Sequence, residues 1–171
     1  MQVSKPLSKG FDLLGSATAN RIQQWPAGVL QNPNDAAFSN YEDYWQWSAK
    51  LMGTYHAPWA LSLSSVLKSQ SGSPYGRQFR NPSGTLTQGT ITVFADPVST
   101  YKYPATTLWD VRASRSFSTG RGDLEVMLDV FNVLNRGTVT AVNTLTGPNF
   151  NRQIIRILNP RIAKIGAKFS F

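Results

Sequence analysis

The sequence predicts an all-β fold, an antiparallel up-and-down meander of about six long strands. Three observations predict it: apolar and polar residues alternate over long segments, the composition favours half-polar strands, and short and long connections alternate between the segments. Successive side chains of a strand point to opposite sides of the sheet, so a period of two gives each strand one apolar face. The C-terminal stretch IAKIGAKFSF keeps this period over ten residues.

Six segments carry the alternation and are the predicted strands. They comprise residues 11–21, 44–56, 59–70, 107–117, 124–132 and 162–171. The second segment, YWQWSAKLMGTYH, shows the pattern most clearly, with apolar and polar residues at nearly every other position. Each predicted strand exceeds the usual strand length of about 5–6 residues.

The connections between the predicted strands alternate in length. Two are short, Ala57-Pro58 and the turn STGRGD at 118–123, whereas the connections at 22–43, 71–106 and 133–161 are long and polar. Within the long ones, TITVFA at 90–95 predicts an extra hairpin arm, and QIIRIL at 153–158 predicts an extension of the sixth strand beyond the Asn159-Pro160 break. Short turns on one side and long loops on the other are the layout of an outer-membrane barrel.

Composition and charge narrow the class of protein. Of the 171 residues 15% are charged, against about 25% in typical soluble domains, and no apolar run reaches the length of about 20 residues that a membrane-spanning helix needs. The formal net charge is +8, but the basic residues are scattered singly and no recognition motif accompanies them, so no nucleic-acid partner is expected. Without cysteine there are no disulfides or thiolate metal sites, and the N-terminal MQVSKPLSKG lacks the apolar region of a secretory signal.

Catalytic and cofactor motifs are not expected. The single histidine, His56, has no nucleophile arrangement near it in the sequence, and no phosphate-binding loop, zinc spacing or calcium loop occurs. Antiparallel pairing of the fifth and sixth strands predicts Glu125 opposite Lys168 and Asp129 opposite Lys164, which favours ion pairs over a carboxylate mechanism. The sequence therefore predicts that the chain is not an enzyme and has no cofactor.

The apolar faces are predicted to meet lipid. An 11-residue strand tilted by about 40° rises about 28 Å, close to the apolar band of about 25 Å in an outer-membrane barrel. Aromatic residues also concentrate at the strand ends, as at the two interfaces of a membrane. One predicted edge carries Phe11, Tyr55, Trp59, Phe117, Phe169 and Phe171, and the other carries Trp45, Trp47 and Trp109. The polar faces would then enclose water, with Glu125, Lys168, Asp129 and Lys164 as ion pairs in the lumen.

Four stretches carry a family resemblance. LWDVRASRSF, LEVMLDVFNVLNR and LNPRIAKIGAKFSF resemble the last three strands of TonB-dependent outer-membrane receptors, in particular the Oar-like subgroup with a carboxypeptidase-regulatory-like domain. PWALSLSSVLKSQSGSPYGR is similar to an upstream strand and loop of the same family. DVFNVLN and the run from NPR to the terminal Phe are the most specific parts.

The resemblance implies that residues 1–171 are one C-terminal segment of a receptor barrel, which has about 22 strands, a plug and a signal peptide in the family. It implies energy-coupled uptake of a ligand across the outer membrane of a Gram-negative-type bacterium. The expected partners are outer-membrane lipid, the barrel-assembly machinery, the remaining strands and plug and, through them, the TonB complex. The assembly signal that the resemblance implies comprises Phe171, Phe169, Ala167 and Ile165.

The long loops supply the candidate ligand contacts, since loops commonly carry function. These candidates are Tyr75, Arg77, Phe79, Arg80, Tyr101 and Tyr103. Two other functions stay open at this point. One is a passive porin-like barrel. The other is a soluble, secreted β-sandwich adhesin, in which the faces bearing Trp45, Leu51, Leu63 and Leu128 would pack on each other.

Overall fold

The computed structural model describes residues 2–7, 10–24, 42–81, 90–146 and 153–171 of the chain. No helix long and apolar enough to cross a membrane occurs in these ranges. The described strands are β1 Gln2–Leu7, β2 Phe11–Gln24, β3 Glu42–Ala57, β4 Leu61–Gln70, β5 Pro74–Tyr75, β6 Gln78–Asn81, β7 Ile91–Phe94, β8 Tyr101–Lys102, β9 Thr106–Thr119, β10 Gly122–Phe131, β11 Val139–Val142, β12 Ile154–Ile157 and β13 Ile162–Ser170.

One sheet contains all the long strands. Its order is β1-β2-β3-β4-β9-β10-β13, and every neighbouring pair is antiparallel. The predicted six-stranded meander is confirmed, with strand ends that differ by a few residues. An additional strand, β1, lies beside β2 and was not predicted. The described sheet is open, because β1 and β13 are its two edges and do not pair with each other.

The register places the predicted apolar residues on one face of this sheet, because residues directly opposite each other in an antiparallel pair lie on the same side. This apolar face carries Phe11, Leu13, Ala17 and Ala19 of β2; Trp45, Trp47, Ala49, Leu51 and Tyr55 of β3; Leu61, Leu63 and Leu67 of β4; Trp109, Val111, Ala113 and Phe117 of β9; Leu124, Val126, Leu128 and Val130 of β10; and Ala163, Ile165, Ala167 and Phe169 of β13.

Three two-stranded sheets, called ribbons below, lie in the described parts of the long connections. β5 pairs with β8, β6 with β7 and β11 with β12. The β6–β7 pair confirms the hairpin arm predicted at 90–95. The extension predicted at 153–158 is wrong: β12 lies in a separate sheet with β11, because the Asn159-Pro160 break separates it from β13 and the backbone groups of 139–142 are its partners. Much of the predicted connection 22–43 lies outside the described residues, at 25–41.

Two non-glycine residues turn the chain between β3 and β4. Trp59 and Ala60 have φ of 65° and 57°, left-handed conformations within the three-residue turn 58–60 that joins Ala57 to its register partner Leu61. Trp59 was predicted to begin the third strand, but it lies in this turn and is 80% exposed. The strand begins at Leu61 because the turn takes up residues 58–60 before it.

Replacing Ala60 with glycine is expected to stabilise the sheet. The left-handed conformation costs an alanine about 1–2 kcal/mol, whereas glycine adopts it readily, so a gain of about 1 kcal/mol remains after the larger chain entropy of unfolded glycine. The urea midpoint of the chain in detergent micelles, followed by tryptophan fluorescence, measures this gain. Ser64→Gly, within β4, is the control and should lower the same midpoint. A lower midpoint for Ala60→Gly would contradict the assignment of the turn.

Candidate functional site

The apolar face is uncovered across the whole meander. The exposed fractions are 43% for Trp47, 42% for Leu63, 38% for Val126 and 78% for Ile165. In the described part of the chain, Val98 in a connection is the one buried apolar residue, at 5% exposure. A contiguous apolar surface of this extent marks an interaction surface, since soluble monomers rarely expose apolar patches larger than a few hundred Å².

The apolar face carries the hydroxyl groups of Ser65, Ser69 and Thr107, each with a partner within that face. The indole Nε1 of Trp109 donates a hydrogen bond of 2.8 Å to Ser65 Oγ, and Ser69 Oγ lies 2.9 Å from Thr107 Oγ1. An unpaired hydroxyl is costly in an apolar environment, so these pairs adapt the face to contact with apolar material. The sequence pattern alone did not identify them, since each pair joins β4 to β9.

The charged groups on the apolar face lie near its two margins. Arg21 and Asp43 form a two-contact ion pair of 2.8 and 2.7 Å at the long-connection side. Arg115 lies near the short-turn side, with its guanidinium carbon 4.9 Å from the centroid of the Phe117 ring. Arginine near an apolar margin can extend its charged head toward water while its stem stays on the apolar surface.

Aromatic side chains meet at the short-turn margin. Phe11 stacks on Tyr55 with 4.2 Å between ring centroids, and Phe169 lies 6.2 Å from Phe171. Phe171 follows the last strand and is fully exposed. The other predicted assembly-signal residues, Ile165, Ala167 and Phe169, lie on the apolar face of β13.

The opposite side is the polar face, which carries hydroxyl, amide and charged residues. The register places Glu125 opposite Lys168 and Asp129 opposite Lys164. The ion pair that forms differs from the predicted one: Arg112 of β9 donates from both Nε and Nη2 to Asp129, the Nη2 contact being 3.0 Å. Within the described residues, neither lysine forms an ion pair with its opposite carboxylate. Asp129 pairs with Arg112 and not with Lys164 because the planar guanidinium group can donate two hydrogen bonds to one carboxylate.

We expect Arg112 and Asp129 to act as one unit. Asp129 is 6% exposed, so Asp129→Asn should lower the urea midpoint by removing the charge that Arg112 neutralises. Adding Arg112→Gln to that variant should lower the midpoint little further, because the interaction is already lost. The double-variant cycle, measured by urea unfolding in micelles, checks this. Additive losses would instead indicate that Asp129 pairs with Lys164.

His56 has neighbours that the sequence did not indicate. Its Nδ1 lies 3.4 Å from Ser62 Oγ and its Nε2 lies 4.0 Å from Asp12 Oδ2. Ser62 is directly opposite His56 in the register, within a strand that is paired on both sides. Backbone N–H groups of such a strand are engaged in the ladder, so they are not available here as oxyanion donors.

A buried asparagine ties the end of β10 to the segment before β13. Asn132 is 3% exposed, and its Nδ2 donates to the carbonyls of Asn159 at 2.7 Å and Arg136 at 3.2 Å. Its Oδ1 accepts from Arg136 N at 3.2 Å, and its own N–H donates to Asp110 Oδ1 at 2.9 Å. Asn135 Oδ1 likewise accepts from Arg161 N at 3.0 Å.

This asparagine pair was not predicted as functional. Asn132 and Asn135 both have φ of 50°, a conformation that asparagine tolerates better than most residues. The signal in the sequence was two asparagines directly after a strand, in FNVLN. The contacts join the two motifs on which the family resemblance depends, DVFNVLN and NPR.

The candidate ligand residues of the loops fall into three places in the structure. Tyr75 stacks on Tyr101 and Tyr103 with centroid distances of 5.4 and 4.4 Å. Arg77 pairs with Asp96 at 3.0 Å. Phe79 and Arg80 lie on β6 and are exposed. The structure therefore brings the three tyrosines together, and places Phe79 and Arg80 on a different ribbon.

The two described loop regions also contact each other. The backbone N–H of Gln78 donates to Thr144 O at 2.8 Å, and its carbonyl accepts from Thr146 N at 2.6 Å. Tyr103 Oη accepts from Val142 N at 3.3 Å. These bonds connect residues far apart in the chain and form one continuous structure on the long-connection side.

Comparisons with known proteins identify no relative. No protein-family model matches the chain, and neither a curated protein nor a solved structure matches it.

Proposed function

We propose that the chain is a wall segment of a transmembrane β-barrel in the outer membrane, the C-terminal part of a TonB-dependent receptor that takes up a ligand. The observation that carries the proposal is the uncovered apolar face, which runs over six neighbouring strands. Trp47 on β3, Leu63 on β4 and Ile165 on β13 are all exposed on it. Hydrocarbon is the partner that fits such a face over its whole extent.

The position of charge on this face supports the proposal. Arg21, Asp43 and Arg115 lie near the margins, and the band between them is aliphatic, aromatic or weakly polar. Charge at the middle of a bilayer is costly, whereas arginine close to the headgroups can reach them. A soluble sandwich places no such requirement on the ends of its strands.

The asymmetry of the connections also supports it. β3–β4 and β9–β10 are joined by tight turns on one side, while the ribbons β5–β8, β6–β7 and β11–β12 all belong to the opposite side. Outer-membrane barrels have short periplasmic turns and longer extracellular loops. The connected loop ribbons would then face the outside of the cell, where a receptor meets its ligand.

Paired cysteine probes test which face meets lipid. The chain contains no cysteine, so Leu63→Cys and Ser64→Cys place a fluorophore on opposite faces of β4. In phospholipid vesicles with brominated acyl chains, we expect strong quenching at 63 and little at 64. Val126→Cys and Glu125→Cys provide the same comparison on β10.

Three outcomes would contradict the membrane proposal. These are equal quenching on the two faces, quenching confined to the polar face, and a chain that folds in buffer and stays in the aqueous fraction when vesicles are floated. The last outcome would favour the soluble sandwich, since the apolar faces would then be covered by each other.

The receptor part of the proposal has its own test. Translation of the DNA upstream of the codon for Met1 should contain an in-frame plug domain and signal peptide. An upstream frame that encodes only further strands would favour a passive porin-like barrel and contradict a TonB-dependent receptor.

We further propose that the edge strand β13, with Phe171, is recognised by the barrel-assembly machinery. A free edge offers unpaired backbone groups for β-augmentation, and the protruding Phe171 side chain is available to a pocket. Deleting Phe171 in the complete receptor should reduce the amount recovered in outer-membrane fractions. The same deletion should leave the urea midpoint of the isolated chain nearly unchanged. Normal recovery would reject the recognition role.

A further inference from the structure

Two lysines lie directly opposite each other on the polar face. Lys50 of β3 is the register partner of Lys68 of β4, and both side chains are exposed. Like charges directly opposite on neighbouring strands destabilise a sheet. A bound anion would offset this repulsion between Lys50 and Lys68.

The surrounding residues do not neutralise the two lysines. The next positions in the same row are Ser16 on β2 and Leu108 on β9. The ion pairs of the described residues are Arg21–Asp43, His56–Asp12, Arg77–Asp96 and Arg112–Asp129, and none of them includes Lys50 or Lys68. Neither lysine therefore has an ion-pair partner among the described residues, although Asp110 lies diagonally next to Lys68 on the same face.

An uncharged polar concavity adjoins the lysine pair. One row toward the long-connection side, about 7 Å along the strands, Thr18, Ser48 and Gln70 are register partners. The next row adds Asn20 opposite Gln46, and together with Ser71 these residues line an open concavity of about 260 Å³. Hydroxyl and amide side chains both donate and accept hydrogen bonds, which suits a ligand with many hydroxyl groups.

We propose that Lys50, Lys68 and this concavity form a binding site for a carboxylated, polyhydroxylated ligand of the uronic-acid type. The two ammonium groups bind the carboxylate, and the adjacent hydroxyls and amides bind the sugar hydroxyls. The inference rests on the proposed function, in which this face lines the lumen through which the ligand passes.

Isotope-labelled lysines provide the test. The chain in detergent micelles is reductively methylated with ¹³C-formaldehyde, and the Lys50 and Lys68 signals are assigned from Lys50→Gln and Lys68→Gln. Titration with glucuronate should shift both signals and leave that of Lys164 unchanged, since Lys164 lies on β13, away from the concavity. Loss of either ammonium should weaken binding about tenfold, the equivalent of one charge-assisted hydrogen bond.

Two matched ligands separate charge from hydroxyl recognition. Glucose lacks the carboxylate and acetate lacks the hydroxyls, so each should bind much more weakly than glucuronate. Gln70→Ala should weaken glucuronate but leave the response to acetate unchanged. Equal binding of acetate and glucuronate, or equal shifts at Lys164, would overturn the proposal. Because the titration contains no vesicles, its failure is distinct from failure of the cysteine-quenching test.

Discussion

Replacing Gly122 with alanine is expected to separate the end of β13 from β10. A β-carbon at position 122 would collide with the carbonyl oxygen of Ser170 and lie 3.1 Å from Cζ of Phe169 and 3.2 Å from Cα of Phe171. The φ of Gly122 is 156°, so the alanine is also at the limit of what an L-residue adopts. Two backbone segments must then move apart, and we expect a loss of about 2–3 kcal/mol.

Gly120 provides a matched control in the same turn. No atom lies within 4 Å of a β-carbon built at Gly120, so Gly120→Ala should leave stability nearly unchanged. Urea midpoints in micelles measure both variants, and amide hydrogen exchange should show faster exchange at 167–170 in Gly122→Ala alone. If the two variants behaved alike, the close packing of the last turn against the C-terminus would be wrong.

Replacing Asn132 with alanine is expected to have the largest effect of any single change. Alanine removes the three side-chain hydrogen bonds to Arg136 and Asn159 and leaves part-buried backbone groups without partners. It must also adopt the φ of 50° that asparagine tolerates. Unsatisfied groups cost about 1–3 kcal/mol each and the left-handed conformation about 1–2 kcal/mol. We expect a total loss of about 4 kcal/mol.

A glycine variant separates the two causes. Asn132→Gly keeps the backbone conformation without strain and loses only the hydrogen bonds, so it should recover about 1–2 kcal/mol relative to the alanine variant. Urea midpoints in micelles measure the difference, and limited proteolysis at 136–161 should show earlier cleavage in both variants. Equal midpoints for the two variants would mean that the backbone at Asn132 is not strained. A wild-type midpoint would mean that the hydrogen bonds of Asn132 do not stabilise the chain.

The faces of the sheet could be predicted from the sequence because a strand has its own period of two. The alternation of apolar and polar residues within each predicted strand assigned its side chains to the two faces of the sheet. The order of short and long connections predicted the meander, which is confirmed. The register of β10 with β13 agrees with the predicted pairs Glu125–Lys168 and Asp129–Lys164, and a shift by one residue would turn the apolar side of β13 to the other face.

Contacts between strands that are distant in the chain could not be predicted in the same way. β4 and β9 pair across residues 71–105, and that pairing places Trp109 beside Ser65. The choice of Arg112 over Lys164 as the partner of Asp129 depends on the geometry of two side chains, because the alternation offers both cations equally. The prediction at 153–158 failed for a similar reason: its alternation is local, while its partner, β11, lies across a loop.

The sequence by itself determined which residues lie on each side of the sheet, since side-chain direction along a strand is a local property of the backbone. Only the tertiary structure decided which residues stand side by side: Lys50 with Lys68, Arg112 with Asp129, and Asn132 with Asn159. The reason is that neighbours across strands depend on loop closure and register over tens of residues, and no periodicity within one strand encodes them.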